Sequence, residues 1–397
     1  MTEQDVALGR KIAFYRQRHG LSQRKFAPMV NRSEAWLSQV ERGVRPVKSL
    51  EVLEAIARVL EISLADLAPT APKAVAEERP ADAVSLRLLL SANYALHAAL
   101  GKPLVYDLEA LRVDTDRAWI LAHSSRYAEL VALLETLLPR LEVAARERDV
   151  ADVFALLARS YHACASVLAK LGQFDAAWVA AERAISDASR AGDPLLMAEG
   201  AFRLTLVFQH ARQLDQAEHT ATTATAALTN LVEQDVPEAL SVYGALTLQL
   251  AVIAARTERA TEAWRYLDRA RDIAVRLGAD RNDYHTEFGP TNVALHEVAV
   301  AVELGDAGDA IRRAGLIDAS QLSVQRQGRL LIDVAFAWTQ RRNAERALAA
   351  LEDAERITPE QVRNHRLVRT MTQDLLRIEP DAPLALKEFA QRLGITT

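Results

Sequence analysis

Two stretches of this 397-residue chain concentrate side chains that could do chemistry. Between residues 10 and 48 there are ten Lys and Arg but only two acids, Glu34 and Glu41. A run of cations like this suits contact with phosphate, although taken alone it reads rather as a solvated charged face. The second stretch is DYHTEFGPTN, residues 283–292. It gathers aromatic, imidazole, carboxylate and amide groups in a segment long for a loop between two helices. Tyr284, His285, Glu287 and Asn292 are therefore candidates to line a pocket for a ligand or partner. The competing reading is a capping loop in which Pro290 and Thr291 start the next helix.

Catalytic chemistry finds no support. The nine histidines show no metal-binding spacing such as H-x-x-x-H or H-E-x-x-H. No phosphate loop or dinucleotide fingerprint is present, so neither metal nor cofactor is expected and the chain is not read as an enzyme. Cys164 lies mid-helix in SYHACASVLA and reads as a small packing residue. His162, two residues before it, does not face it on a helix.

The elements that must hold the basic stretch can be read locally. Ser22 to about Val30 forms a short helix with a serine cap, and Asn31 tolerates the left-handed geometry of a tight turn. Ser33 caps a second helix from Glu34 to Arg42, and Gly43 stops it. Pro28 falls inside the first helix and should bend or shorten it. Before this pair, a helix from about Asp5 to Arg18 turns Val6, Ile12, Phe14 and Tyr15 towards a small core. After it, Ser49 to Leu60 places Leu50, Leu53, Ile56, Ala57 and Leu60 at helical spacing, and Ser63 to Leu67 makes a fifth helix.

LSQRKFAPMVNRSEAWLSQVERG, residues 21–43, resembles the Cro/repressor-type helix-turn-helix of the XRE family of bacterial regulators. The matching residues are Leu21-Ser22-Gln23, Phe26-Ala27, Ser33, Leu37-Ser38, Glu41, Gly43, Arg45, Ser49-Leu50, Leu53 and Ile56-Ala57. Asn31 replaces the usual turn glycine, and Arg32 stands where the family prefers a small apolar residue. The resemblance implies a lambda-repressor-like DNA-binding domain in which Glu34, Ala35 and Gln39 meet base edges in the major groove. Ser33 and Trp36 lie beside them, Trp36 either on the sugar–phosphate or in a local core. Gln23, Arg24, Arg42, Arg45 and Lys48 are the implied phosphate contacts, which position the domain without reading sequence. Arg16 and Glu41 match a structural ion pair of the family.

Composition frames the rest. Half the residues are apolar and a quarter charged, with 15 Gly and 13 Pro, which suits an all-α protein of two units. The net charge of −5 hides an asymmetry: residues 1–68 carry 11 cations and 8 acids, the remainder 37 and 45. One cysteine excludes an internal disulfide framework, and the N-terminus lacks a signal-like apolar stretch. A cytoplasmic location is expected, with nucleoid association when bound to DNA, and no membrane partner. Residues 69–82, with three prolines, read as a linker between domain 1–68 and region 83–397.

That region repeats. A polar turn followed by a helix recurs at 124–137, 171–185, 211–224, 257–270, 304–315 and 340–354. Ala177, Ala217, Ala263, Ala310 and Ala347 occupy equivalent positions and are assigned to packing, and the divergent copy at 124–137 has Leu130 in place of alanine. The pattern resembles a degenerate tetratricopeptide-repeat (TPR) array with longer intervals, which implies a right-handed α-solenoid with a binding inner surface. The resulting expectation is a homodimeric transcriptional regulator, actinobacterial in type, on a palindromic double-stranded operator. Its TPR-like domain would dimerise and sense a peptide, small-molecule or protein ligand. The alternative is a TPR-like interaction scaffold with weak or vestigial DNA binding.

Overall fold

The computed structural model describes residues 3–18, 21–30, 32–45, 47, 50–60, 83–90, 107–147, 150–378 and 383–395. The chain divides into two compact units, Met1–Arg79 and Pro80–Thr397. Among the described residues both are helical, and the one departure is an isolated antiparallel bridge between Arg281 and Phe288.

The first unit contains α1 (Glu3–Arg18), α2 (Gln23–Met29), α3 (Glu34–Glu41) and α4 (Leu50–Val59). Ile12, Phe26, Ala27, Val30, Leu37, Val40, Leu53, Ile56, Ala57 and Leu60 form its buried core. Phe14, expected inside, is 58% exposed, while Tyr15 packs against the core. Gly9 lets α1 approach so closely that a Cβ there would lie 2.2 Å from the Val40 carbonyl oxygen. The helix expected at Ser63–Leu67 and the linker at 69–82 lie outside the described residues.

The second unit opens with α5 (Val84–Leu89) and continues as antiparallel helical hairpins. Successive hairpins are α6 (Leu108–His123) with α7 (Tyr127–Glu147), α8 (Ala151–Lys170) with α9 (Phe174–Ala191), and α10 (Pro194–His210) with α11 (Leu214–Glu233). They continue with α12 (Pro237–Arg256) and α13 (Ala260–Leu277), α14 (Pro290–Glu303) and α15 (Ala307–Ala314), and α16 (Val324–Gln340) and α17 (Ala344–Ile357). Three further helices, α18 (Pro359–Asn364), α19 (Arg366–Ile378) and α20 (Leu384–Arg392), complete the array. This is a TPR-like α-solenoid.

The six positions picked out by the repeat are all buried at the start of the second helix of a hairpin: Leu130 at 1% exposure, and Ala177, Ala217, Ala263, Ala310 and Ala347 at 0%. A side chain larger than alanine at five of them would push neighbouring helices apart. The turns repeat just as faithfully. Ser125, Gly172, Arg212, Glu258, Gly305 and Arg342 all have positive φ, each five residues before the packing residue. The amide after each donates back to the end of the preceding helix, as in Gln173 to Leu168 O at 2.8 Å and Arg259 to Ala254 O at 2.8 Å. Only two of the six turn residues are glycine, so this conformational repeat is hidden in the sequence.

α12 is the spine. It is long and apolar enough to cross a membrane, but 94% of its apolar window is buried inside the array. The solenoid also closes on itself. Ser125 donates to Gln361 Oε1 at 2.9 Å and the Ala128 amide to Glu360 Oε2 at 2.9 Å, joining the first hairpin to α18. Closure turns the concave face formed by α6, α8, α10, α12, α14 and α16 into a cavity.

Candidate functional site

Two surfaces carry the candidate residues, one in each unit. In the first unit, the Ser22 hydroxyl accepts the Lys25 amide at 3.3 Å and the Ser33 hydroxyl accepts the Trp36 amide at 3.2 Å. Both helices of the pair therefore have the caps their sequence suggests. Pro28 sits in the last turn of α2, and the helix stops one residue later at Met29. α3 ends in a double cap. Gly43 N–H donates to Val40 O at 2.9 Å and Val44 N–H to Gln39 O at 2.9 Å, with Gly43 at φ +70°. A Cβ at Gly43 would also meet the Val6 Cα at 2.7 Å, so space as well as conformation demands glycine there.

The Arg16–Glu41 pair forms as expected. Arg16 Nε donates to Glu41 Oε1 at 2.6 Å and Nη2 to Oε2 at 2.9 Å, with the two side chains 8% and 6% exposed. Hydrogen bonding to Glu41 raises the Arg16 pKa further above its ordinary value, outweighing burial. This bidentate clamp fixes α3 against α1. Gln23, expected on phosphate, turns one amide N–H to Glu41 Oε2 at 2.7 Å and so belongs to the clamp.

Glu34 and Ala35 are exposed at the start of α3, and Gln39 is half-buried one turn after Ala35 on the same face. Arg24, Ser33, Arg42 and Arg45 are exposed around them. Trp36 packs against the core, and the Arg32 guanidinium lies 5.6 Å from its ring centroid. The position where a small apolar residue is usual thus holds a cation shielding an indole. Asn31 and Lys48 lie outside the described residues.

In the second unit the 283–292 loop projects into the closed array. Arg281 and Phe288 exchange amide hydrogen bonds at 2.9 Å in both directions, and Phe288 is fully buried. Its ring fills the space where a side chain at Gly244 would stand, only 2.1–2.4 Å from an ideal Cβ. Between these anchors Tyr284, His285 and Glu287 all have positive φ, at 49°, 56° and 52°. Three strained non-glycine residues cost about 1–3 kcal/mol each, and such strain persists only where surroundings impose it. Here Arg203 Nη2 donates to His285 O at 2.7 Å, and the Glu287 amide donates to Asn282 Oδ1 at 3.2 Å.

The His285 ring stacks on Trp119 at 4.1 Å with 7° between planes. Burial, with Arg159, Arg203 and His123 nearby, pushes its pKa down to about 3 against the pull of Glu199. A neutral ring can accept from Arg159 Nη2, 3.3 Å from Nε2. Burial alone would raise Glu287, but Arg326, His123 and two hydrogen bonds from Ser323 hold it below the usual carboxylate range. Asn292 is buried and donates to Glu287 O. Its Oδ1 is buried without a partner.

His285, Glu287 and Asn292 line a cavity of about 460 Å³, within the range of ligand pockets. Tyr284 does not. Its hydroxyl is drawn 3.2 Å from Asp193 Oδ2, so its expected place in the pocket is corrected to that of a loop anchor. The capping-loop alternative also holds in part, because Pro290 opens α14 and Thr291 donates to Asp280. The same segment therefore starts a helix and walls a cavity. Sequence reasoning missed the remaining wall: Trp119 and His123 from α6, Lys170 from α8, Arg203 from α10, and Arg326 and Arg329 from α16. One signal was present, in that α10 carries the charged pair Glu199 and Arg203 in a largely apolar helix. The Cys164 thiol is fully buried and pushed up to about 12 by that burial, which makes it inert.

Residues 7–69 match a helix-turn-helix domain family. No curated protein matches the chain in sequence. Among solved structures, Bacillus thuringiensis PlcR in complex with the peptide PapR7 and DNA aligns over 88% of this chain and 98% of its own. Its TM-score is 0.35 at 13% identity. A mutant of PrgX aligns over 97% of this chain and 99% of its own, with a TM-score of 0.23 at 10% identity.

Proposed function

We propose that the protein is a sequence-specific DNA-binding transcriptional regulator, acting as a homodimer, whose TPR-like array senses a peptide or small molecule held in its cavity. The observation that carries this reading is the helix-turn-helix unit. α3 is capped at both ends, clamped to α1 by the Arg16–Glu41 pair and to α2 by Gln23, while Glu34 and Ala35 are exposed and Gln39 is half-buried on the same face. Gln39 can pair bidentately with adenine, Glu34 can accept from cytosine, and Ala35 suits a thymine methyl. Arg24, Arg42 and Arg45, with Lys48, supply phosphate contacts, and a homodimer would place two α3 helices about 34 Å apart, one DNA turn.

The array supports the sensing half of the reading. Its inner helices enclose a cavity walled by a strained loop, and a ligand contacting that loop could favour one arrangement of it over another. Regulation requires such a difference in affinity between states.

The test is selection of bound duplexes from a random library at about 150 mM salt, close to physiological screening. A two-fold symmetric motif is expected, with Gln39→Ala weakening binding by about 1–3 kcal/mol and relaxing one base position. No enriched sequence, with or without cell extract, would favour the interaction scaffold.

A further inference from the structure

The cavity wall is unevenly charged. Arg203 is neutralised by Glu199 at 3.1 Å, Arg256 by Glu303 at 2.8 Å, Arg326 by Glu287 at 3.4 Å and Arg329 by Asp333 at 3.0 Å. Lys170 has no such partner. No carboxylate among the described residues lies within ion-pair distance of its ammonium, which sits 5.4 Å from the Tyr127 ring centroid. It stands at the end of α8, half-buried, and lines the cavity with Tyr127 and Phe174 beside it.

The groups acting on it deepen the imbalance. Arg203 from α10 and Arg326 from α16 repel its charge, and only Glu287 from the loop attracts it. His123 and His210 also lie within its field and are themselves held neutral by burial. Burial and the two arginines bring the Lys170 pKa down to about 7. An ammonium placed among cations, on an apolar wall and without a counter-ion, is costly unless something else brings negative charge.

We propose that the cavity is a receptor for an organic monoanion whose acid group is seated on Lys170 and whose apolar body lies against Tyr127 and Phe174. This rests on the reading of the cavity as the sensing site. Arg366, the other lining cation with no carboxylate within ion-pair distance among the described residues, is exposed at the start of α19, so the uncompensated charge inside the cavity is the Lys170 ammonium. One such charge matches one negative charge, and a carboxylate is favoured over a phosphate dianion. The aromatic walls favour an acid carrying a hydrophobic body, either a free aryl or alkyl acid or the C-terminus of a short apolar peptide. Because Lys170 binds the anion in its protonated form, affinity is greatest below about pH 7 and falls as the pH rises through that value.

The probe pair is anilinonaphthalene sulfonate, an aromatic monoanion, and N-phenylnaphthylamine, the same rings without the acid. Binding to the full-length protein is followed by dye fluorescence and by energy transfer from tryptophan. The expected result is one sulfonate site at least tenfold tighter than the neutral dye at about pH 6, with that preference shrinking towards about pH 9. Lys170→Met should bring the sulfonate down to the affinity of the neutral dye, Lys170→Arg should keep the preference, and neither should alter neutral-dye binding. That last measurement also shows that the variants fold. Equal binding of both dyes, unchanged in Lys170→Met, would overturn the anion site while leaving the cavity as a ligand site. Binding of neither dye would overturn both. Displacement of the sulfonate by phenylbutyrate assigns the free acid, and displacement by an apolar tripeptide but not its C-terminal amide assigns the peptide. Displacement by none of these overturns the carboxylate.

Discussion

Replacing Glu41 by alanine is the sharpest test of how the helix-turn-helix unit is held. The substitution removes both acceptors of the Arg16 guanidinium and the acceptor of Gln23, three hydrogen bonds at 2.6, 2.9 and 2.7 Å. Arg16 keeps only the Leu21 carbonyl as a partner while its side chain remains 8% exposed. Removing one member of a buried ion pair costs about 3–5 kcal/mol, most of it from the stranded charge. A unit of this size has a stability of about 5 kcal/mol, so the loss removes most of it. Hydrogen exchange on the full chain, read by mass spectrometry, should show amides of α3 exchanging roughly a hundred- to several-thousand-fold faster. Amides of α12 serve as the internal reference, since the clamp lies wholly in the first unit. Arg16→Met combined with Glu41→Leu replaces the pair by apolar groups and should restore much of the protection. If Glu41→Ala changes α3 exchange less than about fivefold, or if the double variant is no better than the single one, the clamp is not what holds α3.

Other consequences follow from single contacts. Gly43→Ala must adopt φ near +70° against Val6, and should lower the melting point of the first unit with a cost of about 1–3 kcal/mol, measured by calorimetry. Gly244→Ala should expel the Phe288 ring and loosen the 283–289 loop. The array should then lose about 1–3 kcal/mol in urea unfolding and expose the loop to protease. Stability of the array should fall as the pH drops from about 6.5 to about 4. His123 and His296 stay neutral when folded, with pKa values lowered to about 4 and about 3, whereas in the unfolded chain they take up protons near their ordinary value. Circular dichroism across that range checks the sign, and constant or rising stability would contradict it.

The local signals were legible in the sequence because local physics sets them. Ser22, Ser33 and Gly43 cap their helices with groups no more than a few residues away, and Pro28, which lacks an N–H, falls in the last turn of α2, one residue before the helix stops. The repeat was equally legible, since Ala177, Ala217, Ala263, Ala310 and Ala347 must be small for helices to meet. Likewise the loop was marked by its composition, and three of its four candidates reach the cavity.

Tertiary structure decided the rest. Tyr284 left the cavity because Asp193, 91 residues away, captured its hydroxyl. Gln23 joined a clamp 18 residues distant, and Phe14 lost its place in the core to neighbours that one helix cannot foresee. The cavity exists because the array closes through Ser125 and Gln361, 236 residues apart. Lys170, Arg203 and Arg326 face one another only after that closure. Their charges had no meaning as a set until folding brought them onto the wall of one cavity. Sequence spacing records contacts within a turn or two of helix; the field inside a closed solenoid is a sum over every turn at once.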